Sequence, residues 1–140
     1  MKREIKFRGL DFKIKGYWHY GTYHYSNNSK HHYILSREKF NILNDEFLYL
    51  HEQEVSSVLQ ESVSQYIGLK DKNGKEIYEG DVIVWDDGSK YKVEWHEDIA
   101  VFFLASTHNG TNDCGFDQVT STEFEIISNI YENPELIQSK

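Results

Sequence analysis

Residues 63–95 read VSQYIGLKDKNGKEIYEGDVIVWDDGSKYKVEW, and their pattern decides the fold. Val63, Tyr66, Ile67 and Leu69 lead into Asp71-Lys72-Asn73-Gly74. Asn-Gly is the strongest short hairpin signal, because both residues tolerate a positive φ. Ile77 and Tyr78 come next, followed by Glu79-Gly80-Asp81 as a second turn. There Gly80 permits a tight bend, and the Asp81 side chain can cap it. Val82 to Trp85 is an apolar strand, and Asp86-Asp87-Gly88-Ser89 turns the chain back. The return strand alternates, with Tyr91, Val93 and Trp95 expected inward and Lys90, Lys92 and Glu94 outward.

Downstream, Ala100 to Leu104 is apolar throughout and predicts a buried strand. His108 to Gly115 is polar and reads as a flexible loop. Phe124, Ile126 and Ile127 make a last strand, and Asn133-Pro134 signals a short C-terminal helix with Asn133 as its cap. Upstream, Ile5 and Phe7 alternate with Glu4, Lys6 and Arg8, and Phe12 and Ile14 continue the period-2 pattern until Gly16. Residues 17–25, YWHYGTYHY, are of strand composition. Ser26 to Ser29 is a turn, and His32 to Leu35 is the returning strand. Across residues 36–60, Phe40, Leu43, Phe47 and Leu50 lie at helical spacing behind a Ser36 cap, which favours a helix. A turn at Asn44-Asp45 before a short strand at Phe47–Leu50 is the alternative. Short strands about 10 residues apart, joined by glycine turns, indicate a small barrel. The expected fold is mainly β: an SH3-like barrel over 61–140, a small β-rich part over 1–60 and a short terminal helix.

Composition bounds what such a fold can do. The chain has 140 residues, with 39% hydrophobic and 15% aromatic residues, enough for a core. No apolar run approaches the ~20 residues of a membrane span. The basic start lacks the apolar stretch of a signal peptide, and the single Cys114 excludes an intrachain disulfide. The expectation is a soluble, cytosolic protein. Fifteen basic residues face 23 acidic ones, giving −8. The charge is uneven: residues 1–15 carry +4, whereas residues 76–140 carry 14 acidic residues against Lys90, Lys92 and Lys140. A duplex-binding surface needs clustered Lys and Arg, so the C-terminal half has the wrong sign for one.

Three blocks carry a resemblance. Arg3 to Arg8 (REIKFR), Gln65 to Val82 (QYIGLKDKNGKEIYEGDV) and Ser128 to Leu136 (SNIYENPEL) resemble, in order, the opening, central and C-terminal signatures of the YopX-like family of phage and prophage proteins. The chain departs mildly at Ile67, where the family typically has threonine. It departs again at Gly9-Leu10-Asp11, where the family often has Ala-Trp-Asp. The resemblance implies a phage or prophage gene and an SH3-like barrel in the C-terminal half. It implies no activity and carries over no functional residue.

Candidate chemistry comes out thin. Seven histidines invite a metal, but His19 and His24 differ in strand parity, and the neighbours His31 and His32 cannot chelate from one strand face. His96-Glu97-Asp98, and His108 with Asp113, Cys114 and Asp117, have ligand-type residues at no recognised spacing. No metal and no cofactor are expected. A Cys114 nucleophile with His96 or His108 would need an activating pocket that the surrounding sequence does not announce. Asp86-Asp87 is explained by turn chemistry, and no phosphate-cradling glycine motif occurs. No catalytic residue is assigned.

The aromatics remain. Tyr17, Trp18, Tyr20, Tyr23 and Tyr25 cover both faces of one strand, which is either wholly buried or an exposed platform. Trp85 and Trp95 are expected mainly to fill the barrel. Tyr17, Trp18, Tyr20, Tyr23, Trp85 and Trp95 are the candidate binding residues. The expected function is a non-catalytic module for a protein partner of host or phage, with self-association as a variant. A nucleic-acid module using the basic N-terminus ranks second, and an enzyme of unrecognised type third.

Overall fold

The computed structural model describes residues 4–36, 54–107, 113–116 and 123–137. Two compact units form, Lys2–Gln65 and Tyr66–Lys140. All described strand pairings are antiparallel.

In the first unit the strands are β1 (Phe7–Leu10), β2 (Trp18–Ser26), β3 (His31–Ser36), β4 (Glu54–Val58) and β5, which begins at Ser64. Their order is β4-β3-β2-β1-β5, with Gly21 opposite Phe7, Ile34 opposite Tyr23 and Val58 opposite His32. Ile34 and Val58 are buried on the face they share. Gly9 makes room there, since a Cβ on it would lie 2.9 Å from the Val58 side chain. The expected continuation of the first strand through Phe12 and Ile14 is instead a turn. The Asp11 carboxylate accepts the Lys13 N–H at 2.8 Å and the Ile14 N–H at 2.7 Å, a local bond set that competes with a strand ladder. The expected strand also starts late, at Phe7, leaving Ile5 66% exposed.

The helix favoured over 36–60 needs correction where it can be seen. Residues 37–53 lie outside the described residues, while Glu54–Val58 is a strand paired with β3. Val55 and Ser57 take one face and Ser56 and Val58 the other, and the β3 edge supplies the backbone partners that a short helix would have to find internally. A 3-10 turn at Gln60–Ser62 follows. The buried Ser62 hydroxyl accepts the Leu10 N–H at 2.8 Å and donates to the Leu59 carbonyl at 2.7 Å, tying this connection to the end of β1.

In the second unit, β5 (Ser64–Lys70) pairs from Tyr66 onward with β6 (Glu76–Tyr78) around the Asn73-Gly74 hairpin. The remaining strands are β7 (Asp81–Trp85), β8 (Lys90–His96), β9 (Val101–Ser106), β10 (Cys114–Gly115) and β11 (Phe124–Asn129). They form a five-stranded sheet in the order β10-β9-β8-β7-β11. This sheet is open: among the described residues no ladder joins β10 to β11, so the expected closed barrel is not what is seen. The core gathers Ile77, Ile83, Tyr91, Val93, Leu104, Phe124 and Ile126. Each such side chain removed from water contributes about 1.5–3 kcal/mol before ordering costs.

Three further expectations need amendment. Val101–Ser106 is not buried throughout: Leu104 is, but Phe102 and Phe103 are half-buried and Val101 is exposed. In an open sheet with one face against the core, alternate residues must point away from it. Within the expected loop 108–115, residues 108–112 lie outside the described residues, and Cys114–Gly115 pairs with β9. The C-terminal helix is a four-residue 3-10 turn, Pro134–Ile137.

Candidate functional site

The central and C-terminal signature blocks build turns. Asp71 is buried, and its carboxylate accepts the Asn73 and Lys75 N–H groups, each at 2.9 Å, through Oδ1. Oδ2 accepts the Ile126 N–H at 3.0 Å. One side chain therefore shapes the hairpin and anchors it to β11. Asp81 accepts the Tyr78 N–H at 2.8 Å and caps its turn as expected. Gly80 has φ +88, and a Cβ there would meet the Tyr131 ring at 2.6 Å, so only glycine fits. The Ile130 N–H donates to the Gly80 carbonyl at 2.9 Å. The buried Asn129 caps the last turn by accepting from Tyr131 and Glu132, both at 3.0 Å. The central and C-terminal signatures thus meet around Gly80.

The candidate aromatics of the first unit fall on two faces, as parity requires. On one face Trp18 stacks under the buried Arg8 guanidinium, 4.5 Å from the ring centroid, with Tyr20 opposite Arg8 in register. On the other, Tyr23 packs against Phe7 and His32, each 5.8 Å away, and its hydroxyl lies 2.5 Å from His32 Nδ1. Burial pushes the Tyr23 phenol up from its ordinary value, with Tyr25 adding to the effect. Tyr17 is 55% exposed and meets His19 edge-on at 5.0 Å. Tyr20 and Tyr25 are also exposed. The strand is therefore neither fully buried nor a flat platform.

Asp11 and His19 form a pair the sequence did not announce, His19 Nε2 donating to the carboxylate at 2.8 Å. That bond, helped by the Ile14 and Lys13 N–H groups, holds the Asp11 carboxyl at about 2. His24 lies opposite Tyr33 in register and His19 opposite Gly9, on the other face.

In the second unit Trp85 is half-buried against the core, edge-on to Tyr91 at 6.0 Å. Trp95 was expected inward but is 42% exposed, leaning edge-on against Phe102 at 4.9 Å. The core ends at Val93, one pleat short of Trp95. Asp86-Asp87 is a turn: Asp87 accepts the Ser89 N–H at 2.8 Å, which lowers the Asp87 carboxyl below its ordinary value. Cys114 lies opposite Leu104 on the core face, whereas His96 lies opposite Val101. Residues 101 and 104 differ in parity, so the register sets Cys114 and His96 on opposite faces of the sheet, although both border the cleft beside β10. His108 lies outside the described residues. No cluster of three or more metal-type ligands occurs among the described residues.

A feature missed from sequence is an open cleft of about 640 Å³ beside the β8–β9 turn and β10. Ile99, Val101, Phe102, Phe103 and Phe116 line it, with Asp113 among them. Ile99 is 64% exposed and Val101 42%. The only sequence signal was the apolar density of residues 99–104, which reads equally as buried strand.

Comparison with known proteins places the chain. No curated protein matches it. The crystal structure of protein EF1440 from Enterococcus faecalis is similar, at 22% identity and TM-score 0.54, over 98% of this chain and 100% of that one. That likeness speaks for the fold alone. The family model described as YopX protein matches residues 6–138, which contain both the Gly80 turn and the Asn129 cap. On that match, the chain belongs to the YopX protein family.

Proposed function

We propose that this is a phage- or prophage-encoded binding module of the bacterial cytoplasm that engages a protein partner and performs no catalysis. The observation that carries the reading is the exposure of large apolar side chains along one open cleft in the second unit, with Ile99 and Val101 both at the surface. Contiguous exposed apolar surface on a small domain marks an interaction site. In the first unit Tyr17, Tyr20 and Tyr25 are also exposed, Tyr20 on the opposite face from the other two. Chemistry offers less: Asp71, Asp81 and Asn129 of the signatures are occupied in turns. The open five-stranded sheet with its glycine corners is compatible with an SH3-like ancestry.

The test is photo-crosslinking capture from induced cells with wild type and an Ile99→Ser/Val101→Ser variant of matched thermal stability. A partner retained by the wild type and lost by the variant supports the reading. Capture of no protein by either would end it.

Nucleic acid is the second reading. Charge favours it only in the first unit, which holds nine basic and eight acidic residues, against six and 15 in the second. A gel shift with single-stranded DNA that weakens steeply with salt would support it.

A further inference from the structure

The cleft has a chemistry of its own. Its walls are apolar: Ile99, Val101, Phe103 and Phe116 present aliphatic and aromatic surface. Its rim is acidic. Asp113 lines it, and the exposed Glu97 and Asp98 lie in the turn between the lining residues His96 and Ile99. Glu94 neighbours Phe103 in register and is paired with Lys92. The unit around the cleft carries a net −9. An apolar slot with Asp113 on its wall, its Oδ1 accepting the Ser106 N–H at 2.9 Å, and with Glu97 and Asp98 beside it disfavours acidic segments and nucleic acid. It attracts chains that place cations beside an apolar anchor, through screened Coulomb interactions across the rim.

We propose that this cleft receives a partner-protein segment in which a leucine or aromatic side chain is flanked by lysine or arginine. This rests on the protein-binding reading above and specifies its partner. The anchor would fill the slot between Val101, Phe103 and Phe116. The flanking cations would face Glu97, Asp98 and Asp113. The open mouth suits a segment that enters sideways better than a small molecule that needs enclosure.

The test uses the full chain and three fluorescein-labelled peptides followed by anisotropy: KKLFKK, SSLFSS and EELFEE. KKLFKK is expected to bind at least 10-fold tighter than EELFEE, with SSLFSS between them. Its affinity should fall about 5-fold or more between about 50 and about 500 mM salt. The variant Ile99→Lys should abolish binding while leaving the melting transition in place, because that side chain is already mostly exposed. Glu97→Gln/Asp98→Asn should cost KKLFKK several-fold and leave SSLFSS unchanged. Equal binding of the three peptides, binding of none, or indifference to Ile99→Lys would overturn the inference. Displacement of KKLFKK by oligo-dT would overturn it in favour of nucleic acid. A protein captured from cells that KKLFKK fails to displace would sink this inference alone, whereas the absence of any captured protein would sink the broader reading.

Discussion

Asp71 shows how much of this fold hangs on single side chains. Its carboxylate takes three backbone N–H groups from two separate stretches of chain. Asp71→Ala leaves these donors without an acceptor, and charge-assisted bonds are the costly ones to lose. The expected loss is about 3 kcal/mol in urea denaturation, with Asp71→Asn losing roughly half as much. Asp11 makes a pH prediction. Its folded carboxyl titrates at about 2 against an ordinary 3.8, so the unfolded chain takes up the proton more readily. The stability it contributes is fully present above about pH 4 and is lost as pH falls toward about 2. Asp11→Asn should flatten that limb of a stability–pH curve, and an unchanged limb would refute the assignment. At this scale the sequence was partly legible. The Asp81 cap and the Asn-Gly turn follow from local rules, but the reach of Asp71 to Ile126 spans 55 positions and has no local signature.

Among the elements, period-2 patterns were reliable where a hairpin turn pinned them. The β7–β8 ladder falls where alternation and the Asp86–Ser89 glycine turn placed it. Patterns failed where a local competitor intervened, as at Asp11, or where a strand needed a distant partner, as β4 does against β3. The join between β1 and the 3-10 turn gives an element-level test. Ser62→Ala would leave the Leu10 N–H without its acceptor in a buried place. The cost should be about 1–3 kcal/mol. Hydrogen exchange should show it as faster exchange at Leu10 ahead of the β7–β8 amides. Uniform acceleration across both units would argue against a local role.

For the whole molecule, charge is the property read most directly. A net −8 and a pI near 5.3 predict a solubility minimum close to pH 5.3 and good dispersion at pH 7, checked by light scattering across pH. The mainly β class, the hairpin positions and the family were already written in the order of residues, because turns and alternation are local and each acts within a few residues of itself. Which apolar strands meet the core and which face outward was decided only in three dimensions. Trp95 shares the alternation of the buried Tyr91 and Val93, yet the open sheet runs past its core and leaves it 42% exposed. Burial depends on what packs across from a strand, and that partner comes from distant parts of the chain.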